Sequence, residues 1–237
     1  MVSAELKKLK RHYLIPLSVG VVFFSALLAV FKMIAASNSA TGYLVLTEGI
    51  LWNNVTLVFP FLLTFFGGFL MNREYSEDTL KNNLIVPISY RKLRNINIAV
   101  TALATILFIA VSFICSILFA VILQYPFSLR DLGTAFWELF VTGVSCLIAV
   151  FPLIAFFTLK RNIFLAGTCG AFVYGFCGIF VADTRLTSWY PTTAALTIIK
   201  YNPDSGNYQL PVALFVLVMC ALLSFLIIVG TRRQRYD

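Results

Sequence analysis

Long runs of apolar residues, separated by short polar stretches, make up most of the 237-residue chain. A helix that crosses a bilayer needs about 20 mostly apolar residues, and backbone groups in lipid must be hydrogen-bonded within their own segment. Six runs are long enough: residues 14–36, 52–72, 96–123, 135–158, 163–182 and 210–230. The pattern therefore predicts an all-α integral membrane protein, with six transmembrane helices in a single domain over residues 1–237.

The composition agrees with this prediction. Hydrophobic residues account for 60% of the chain and charged residues for 12%. Soluble domains carry about 25% charged residues, so this chain has too few polar side chains to cover the surface of a soluble fold. We therefore do not expect the chain to fold outside a membrane.

The distribution of basic residues predicts the orientation in the membrane. The net charge of +8 is spread over the short connections rather than gathered in one patch, which does not favour a nucleic-acid partner. If both termini are cytoplasmic, the basic residues on the outer side are Lys32, Arg130, Arg185 and Lys200. The other 14 of the 18 basic residues then lie inside, as in most membrane proteins. The sequence thus predicts a multi-pass protein of the cell membrane with cytoplasmic termini.

The segment Ala4–Tyr13 combines an apolar and a basic side. Leu6 and Leu9 lie on one side of a helical projection, and four basic residues occupy the rest. Such a helix lies in the headgroup layer, where it binds anionic membrane lipid. The alternative is that these residues are ordinary flanking charges of the first span. Both interpretations keep the amino-terminal end inside.

The connection before the last predicted span contains signals for a short helix. Pro191 suits the first turn of a helix, and the cluster at residues 202–206 is typical of a turn. We expect a short outer helix within residues 192–200 that lies at or dips into the outer membrane interface, with Trp189 and Tyr190 at the level of the headgroups. The alternative is an irregular surface loop.

The connection between the second and third predicted spans carries another helical signal. Glu77 and Lys81 have the spacing of an i,i+4 ion pair. Leu80 and Leu84 share one helix face, and Pro87 marks the end of the helix. The pattern predicts a short cytoplasmic helix with an apolar ridge and a charged flank, which suits a groove on another protein. A capped connector helix would have a similar pattern.

This connection resembles that of a known family. Small six-span permeases of ABC-type exporters carry, at this place, a pattern close to Glu-x-x-x-Gly-Thr, then Leu-Leu, then Pro-Ile-Ser-Arg. The matching residues are Glu74, Thr79, Leu80, Leu84, Pro87, Ile88 and Ser89. The chain departs from the pattern at Asp78, where the family has Gly, and at Tyr90, which displaces the basic residue to Arg91. The layout of the whole chain also resembles these permeases, most of all those of peptide export and of lantibiotic or other peptide-antibiotic immunity.

The resemblance implies the fold and the partners of a type II ABC exporter. The connection would be the coupling helix that inserts into a cytoplasmic ABC ATPase. Two permeases, identical or homologous, would face each other around the substrate path. The resemblance assigns coupling to Glu74, Glu77, Asp78, Thr79, Leu80, Lys81, Leu84 and Pro87. ATP and Mg²⁺ would be bound by the ATPase, since this chain contains no Gly-Lys dipeptide and hence no Gly-x-x-x-x-Gly-Lys loop.

Two ionisable residues and one aromatic stripe within the predicted spans are further candidates. A charge in the bilayer is costly, so Glu138 either faces the substrate path or lies at a solvated helix end. Lys32 lies near an outer helix end and is expected to extend to the headgroups. Phe61, Phe65 and Phe69 recur at i, i+4 and i+8. They either line the substrate path, which would favour an amphipathic cargo, or face lipid as packing material.

Small residues form a stripe along the fifth predicted span. Gly167, Ala171, Gly175 and Gly178 follow one another at spacings of three or four, which keeps them on one helix face. Such a stripe allows a neighbouring helix to approach closely. That helix belongs either to the same subunit or to a second permease, and contact with the substrate is a third alternative.

The sequence offers little support for catalysis or for a metal site. His12 is the only histidine, and the five cysteines lie in apolar runs without a Cys-x-x-Cys pair. The leading hypothesis is therefore a permease subunit, not an enzyme by itself, that exports an amphipathic or antimicrobial peptide or a lipid-like compound. The alternative is a membrane anchor or signalling scaffold that recruits a cytoplasmic partner through the same connection.

Overall fold

The computed structural model describes residues 13–35, 42–76, 90–157, 164–182, 184–201 and 209–230. Within these ranges the regular secondary structure is helical. The helices are α1 (Leu14–Ala35), α2 (Tyr43–Asn53), α3 (Phe59–Ser76), α4 (Tyr90–Ile122), α5 (Leu129–Phe157), α6 (Phe164–Val181), α7 (Ala194–Ile199) and α8 (Leu210–Gly230). A π-helical segment, Asn54–Val58, joins α2 to α3, so that these pieces form one continuous helix.

Five helical stretches in the described ranges are long and apolar enough to cross a membrane. They are Leu14–Ala35, Tyr43–Leu70, Asn95–Ile122, Leu129–Phe156 and Leu210–Val229. The prediction of an all-α membrane protein is therefore confirmed. Helix α6 has 18 residues and lies near the lower length limit for a span. The count of six spans stays a prediction.

The second membrane helix begins at Tyr43, so the predicted start at residue 52 was wrong. The stretch before residue 52 contains Thr47 and Glu48, and a search for uninterrupted apolar runs excludes it. In the structure the Thr47 hydroxyl donates to the Tyr43 carbonyl oxygen at 3.0 Å, so its polar group is satisfied inside the helix. The helix can therefore continue through these residues.

Helix α5 also begins before the predicted span, at Leu129 rather than residue 135. Ser128 and Asp131 cap its start reciprocally. The Ser128 amide donates to Asp131 Oδ2 at 2.8 Å, and the Asp131 amide donates to Ser128 Oγ at 3.2 Å. A capping box of this kind satisfies two backbone donors at the start of a helix. The capping box lies in the polar residues before the apolar run, so the apolar run alone does not predict where the helix begins.

The continuous α2–α3 helix lies at the centre of the bundle. Helix α2 packs against α1, α4 and α5, whereas α3 packs against α4, α5 and α6. Helix α8 packs mainly against α5 and α7. The core along α3 contains Phe59, Leu63 and Leu70, with Phe108 of α4 and Leu139 of α5 in the same cluster. A displacement of α3 would therefore affect three neighbouring helices directly.

The outward faces of the helices are apolar. Large hydrophobic side chains that are more than half exposed occur on five of them, for example Phe24, Ile114, Trp137, Val173 and Phe225. A contiguous apolar surface of this kind would cause aggregation in water, whereas lipid chains match it in a bilayer. The exposure pattern thus agrees with a protein that is surrounded by lipid.

The short helix expected within residues 192–200 is present as α7. Ala194, Ala195, Leu196 and Thr197 are buried, because α7 packs against α5 and α8. Alanine and threonine are small enough to allow this close packing inside the bundle. The expected position of this helix at the outer membrane interface stays a prediction.

Hydroxyl groups satisfy the backbone of the connection that carries α7. The Thr193 hydroxyl donates to the Thr187 carbonyl oxygen at 2.9 Å, and the Tyr190 hydroxyl donates to the Tyr174 carbonyl oxygen of α6. Burial raises the pKa of Tyr190 to about 12, so its hydroxyl stays protonated and can donate. Trp189 is 56% exposed, and its position at the headgroups stays a prediction.

Two helices end in a left-handed residue that is not glycine. Gln124 after α4 has φ 57°, and Lys200 after α7 has φ 53°. At the end of α4, the Tyr125 amide donates to the Ala120 carbonyl oxygen at 2.9 Å. The Gln124 amide donates to the Val121 carbonyl oxygen at 3.2 Å, which completes a Schellman motif. A side chain strains the backbone in this conformation, because its Cβ approaches the following carbonyl oxygen.

Replacing Gln124 with glycine is expected to stabilise the protein by about 1 kcal/mol, because glycine adopts the left-handed conformation without strain. The Gln124 side chain is exposed, so little packing is lost. Thermal unfolding in a mild detergent measures the effect. Gln124→Ala keeps a Cβ and serves as the matched control, and an equal gain in both variants would contradict the prediction.

Candidate functional site

The predicted coupling residues follow the central helix. Glu74 belongs to the last turn of α3, which ends at Ser76. The other predicted coupling residues lie outside the described ranges: Glu77, Asp78, Thr79, Leu80, Lys81, Leu84 and Pro87. The predicted amino-terminal helix also lies outside them, apart from Tyr13. The segment with the coupling residues thus connects α3 to α4, and α3 packs against α4, α5 and α6.

The predicted aromatic stripe lies on one half-buried face of α3. The ring centroids of Phe61 and Phe65 are 6.0 Å apart with an interplanar angle of 5°, and those of Phe65 and Phe69 are 6.4 Å apart. Stacked rings in this distance range attract one another. The stripe is therefore an ordered row of rings that remains partly accessible.

A second row of rings on α6 extends this surface. The centroids of Phe172 and Phe176 are 6.5 Å apart, and those of Phe176 and Phe180 are 5.5 Å apart. Phe61 meets Phe172 edge-on at 6.2 Å and joins the two rows. We call the six side chains the phenylalanine face: Phe61, Phe65, Phe69, Phe172, Phe176 and Phe180. The α6 row has the same i, i+4, i+8 spacing as the α3 row, and this signal was overlooked in the sequence.

The small-residue stripe of α6 is buried. Its members Gly167, Ala171, Gly175 and Gly178 all lie in the interior. A Cβ added at Gly175 would lie 2.5 Å from the Thr56 carbonyl oxygen and 2.8 Å from Pro60. A Cβ added at Gly178 would lie 3.0 Å from the Thr192 hydroxyl oxygen. At both points this face of α6 is occupied by other parts of the same chain.

Glu138 is half-buried on α5, and a second acidic residue lies near it. Glu48 on α2 is also half-buried, and the two carboxyl groups are close enough for like-charge repulsion. Glu48 is not among the residues predicted from the sequence, because it lies between the predicted spans 14–36 and 52–72. Its signal was a single acidic residue in an otherwise apolar stretch. A cationic group would reduce the repulsion between the two carboxylates.

No group of three or more His, Cys, Asp or Glu residues in the described part of the chain could hold a metal ion. The pair Glu48 and Glu138 supplies two carboxyl groups, whereas protein sites for divalent cations use several ligands. The arrangement of the described residues is suited to recognition of a charge or of an apolar surface.

A chain of hydrogen bonds connects α1, α2 and α4 inside the bundle. Lys32 Nζ donates to Asn53 Oδ1 at 2.7 Å, and Asn53 Nδ2 donates to the Ser25 carbonyl oxygen at 3.2 Å. Ser25 Oγ donates to Asn54 Oδ1 at 3.0 Å, and Asn54 Nδ2 donates to Ser112 Oγ at 2.9 Å. We call these five residues the polar chain. Lys32 is itself exposed, and the expectation that it extends to the headgroups stays a prediction.

The polar chain meets the α2–α3 helix at its π-helical segment. There the Phe59 amide donates to the Asn54 carbonyl oxygen, five residues back. Pro60 has no N–H, so it cannot donate to the Thr56 carbonyl oxygen four residues back. The Thr56 hydroxyl donates to the Trp52 carbonyl oxygen at 2.7 Å, which adds to the distortion of this turn. Single π turns inside α-helices occur frequently at functional sites.

The bundle and its surfaces define a multi-pass helical membrane protein whose central helix leads into a polar connection. The family model described as ABC-2 family transporter protein matches residues 1–178. The chain therefore belongs to the ABC-2 family of transporter membrane proteins, and the resemblance to ABC permeases is confirmed at the level of the family. The match includes the connection with the coupling residues and most of α6. No curated protein and no solved structure matches the chain.

Proposed function

We propose that the chain is the permease subunit of an ATP-driven ABC exporter. The observation that carries this proposal is the family match over residues 1–178. A cytoplasmic ABC ATPase would bind ATP and Mg²⁺, because the sequence lacks a phosphate-binding loop of the Gly-x-x-x-x-Gly-Lys type. The permease would not be an enzyme by itself. Both termini would be cytoplasmic, in accordance with the basic residues.

The connection between α3 and α4 would dock on the ATPase. Its charged and apolar residues, Glu74 to Pro87, would form the coupling helix. This assignment is supported by the position of α3, whose carboxyl-terminal end leads directly into the connection. Because α3 packs against α4, α5 and α6, a force applied at this end would reach most of the bundle.

The phenylalanine face would line the substrate path. Its rings are partly accessible, with Phe172 at 44% and Phe180 at 69% exposure. Such a surface suits the apolar part of an amphipathic peptide or of a lipid-like compound. Glu138, with Glu48 beside it, would attract a cationic group of the same cargo. A second permease, identical or homologous, would close the path from the other side, and transport would be directed outward.

The proposal is tested by purification of the tagged permease from its native membrane, followed by measurement of ATP hydrolysis. We expect an ABC ATPase to copurify in stoichiometric amount. The double variant Leu80→Asp and Leu84→Asp should reduce permease-stimulated hydrolysis about tenfold or more, because two charges replace the apolar ridge that docks on the ATPase.

Leu186→Asp is the matched control for that experiment. Leu186 is 59% exposed and lies in the connection that carries α7, far along the chain from the docking segment. It should leave hydrolysis unchanged. Absence of any nucleotide-binding protein after crosslinking would favour the scaffold alternative. Unchanged hydrolysis in the double variant would refute docking through this segment.

A further inference from the structure

Several departures from α-helical geometry coincide within seven residues of the central helix. The segment Asn54–Val58 is π-helical, and the Phe59 amide bonds five residues back. Pro60 removes the backbone donor that the Thr56 carbonyl oxygen would have in an α-helix. Each departure weakens the regular backbone ladder, and sharp bends in helices occur at such places. The residues on either side, α2 and α3, are ordinary α-helices.

Asn53, the last residue before this segment, and Asn54, its first residue, are fixed to α1 and α4. Asn53 and Asn54 form hydrogen bonds to Lys32 and Ser25 of α1, and Asn54 also donates to Ser112 of α4. These amides are at most 3% exposed. Breaking the bonds would leave polar groups unsatisfied in an apolar interior, which is unfavourable. Helix α2 is therefore held firmly in place.

The part of the helix after this point makes its most extensive contacts with α6, although α3 also packs against α4 and α5. Helix α3 is packed against α6, and Gly175 of α6 approaches Thr56 and Pro60 so closely that a Cβ would overlap them. Phe61 extends the contact to Phe172. Whereas α2 is held by the polar chain in addition to its apolar contacts, these are contacts between apolar surfaces and backbone. Such contacts allow small sliding movements of packed helices.

We propose that residues 54–60 are a hinge, about which α3 bends relative to α2. The polar chain holds α2 to α1 and α4, while α3 moves together with α6. The missing backbone donor at Pro60 and the wide π turn allow the change in backbone angles. The hinge itself follows from the structure of this chain alone. Its consequence rests on the proposed function, because bending there would let the ATPase displace α3 without displacing α2.

Amide hydrogen exchange of the permease alone, in a mild detergent and followed by mass spectrometry, tests the hinge. In the wild-type protein, amides in residues 58–63 should exchange faster than those in residues 105–112 of the adjacent α4. Pro60→Ala restores a backbone donor and should slow exchange in residues 58–63 about tenfold, the effect of roughly one additional hydrogen bond.

Pro152→Ala is the matched control, because Pro152 is also in the interior of a helix, α5, but lies outside the hinge. It should leave exchange in residues 58–63 unchanged. Equal protection of residues 58–63 and 105–112 in the wild-type protein would overturn the proposal, even if Pro60→Ala does not fold. Equal slowing by both proline variants would also overturn it. The measurement needs no ATPase, so its outcome is separate from that of the docking experiment.

Discussion

Gly175→Ala is expected to destabilise the protein by about 3 kcal/mol, at the upper end of the usual range for an overpacked core. The added methyl group would lie 2.5 Å from the carbonyl oxygen of Thr56, where α6 crosses the central helix. Because the obstacle is backbone, no change of rotamer can relieve the overlap. Helices α6 and α3 must separate, which also disrupts the phenylalanine face. Denaturation in mixed micelles measures the loss of stability.

Gly20→Ala on α1 is the control for this substitution, since no atom lies within 4 Å of the added Cβ. It should leave stability unchanged or raise it by up to about 1 kcal/mol, because alanine favours a helix. The experiment also distinguishes internal packing from assembly. If the stripe on α6 contacts a second permease instead, Gly175→Ala will alter the dimer fraction and leave unfolding of the monomer unchanged, which would contradict the prediction.

Gly143→Ala is expected to cost about 2 kcal/mol for a related reason. Its added Cβ would lie 2.5 Å from the Ile109 side chain of α4 and 3.2 Å from the Phe59 ring. Here the main obstacle is a flexible side chain. The double variant with Ile109→Ala should therefore be more stable than the sum of the two single effects predicts, by about 1 kcal/mol or more.

The same unfolding assay on both single variants and on the double variant measures this coupling. Gly133→Ala lies on the same helix as Gly143, with no atom within 4 Å of its added Cβ, and is the matched control. If the changes in the free energy of unfolding at Gly143 and Ile109 are strictly additive, the added methyl group does not overlap the Ile109 side chain, which would contradict the prediction. Gly175 should have no comparable rescue through Pro60, because the Thr56 carbonyl oxygen remains in the way.

The helices at the two ends of the described chain could be predicted almost to the residue. The runs 14–36 and 210–230 correspond to Leu14–Ala35 and Leu210–Gly230. Both runs are nearly free of charge, so hydropathy alone determines them. The middle of the bundle was harder to predict. The start of α2 was missed, because Thr47 and Glu48 interrupt the apolar run, although the Thr47 hydroxyl is satisfied within the helix.

Part of the candidate site could also be predicted from the sequence, and part of it could not. The spacing of Phe61, Phe65 and Phe69 is visible in the sequence, since residues four apart share a helix face. The row on α6 lies beside the row on α3 because the two helices pack against each other. The spacing of residues in the sequence does not reveal which helices pack together. Asn53 and Asn54 gave no motif either. Their role depends on Ser112, which is distant in sequence, and on a π turn that no simple periodicity reveals.

The order of the polar chain along the sequence has a consequence for biogenesis. Three of its four hydrogen bonds join residues at or before Asn54 in the sequence, and the remaining one requires Ser112. Helices α1 and α2 can therefore satisfy most of each other's polar groups while the ribosome is still synthesising the rest of the protein. Neither helix suits lipid well alone, because one carries a lysine and the other two asparagines. We expect them to leave the translocon together, as a helical hairpin.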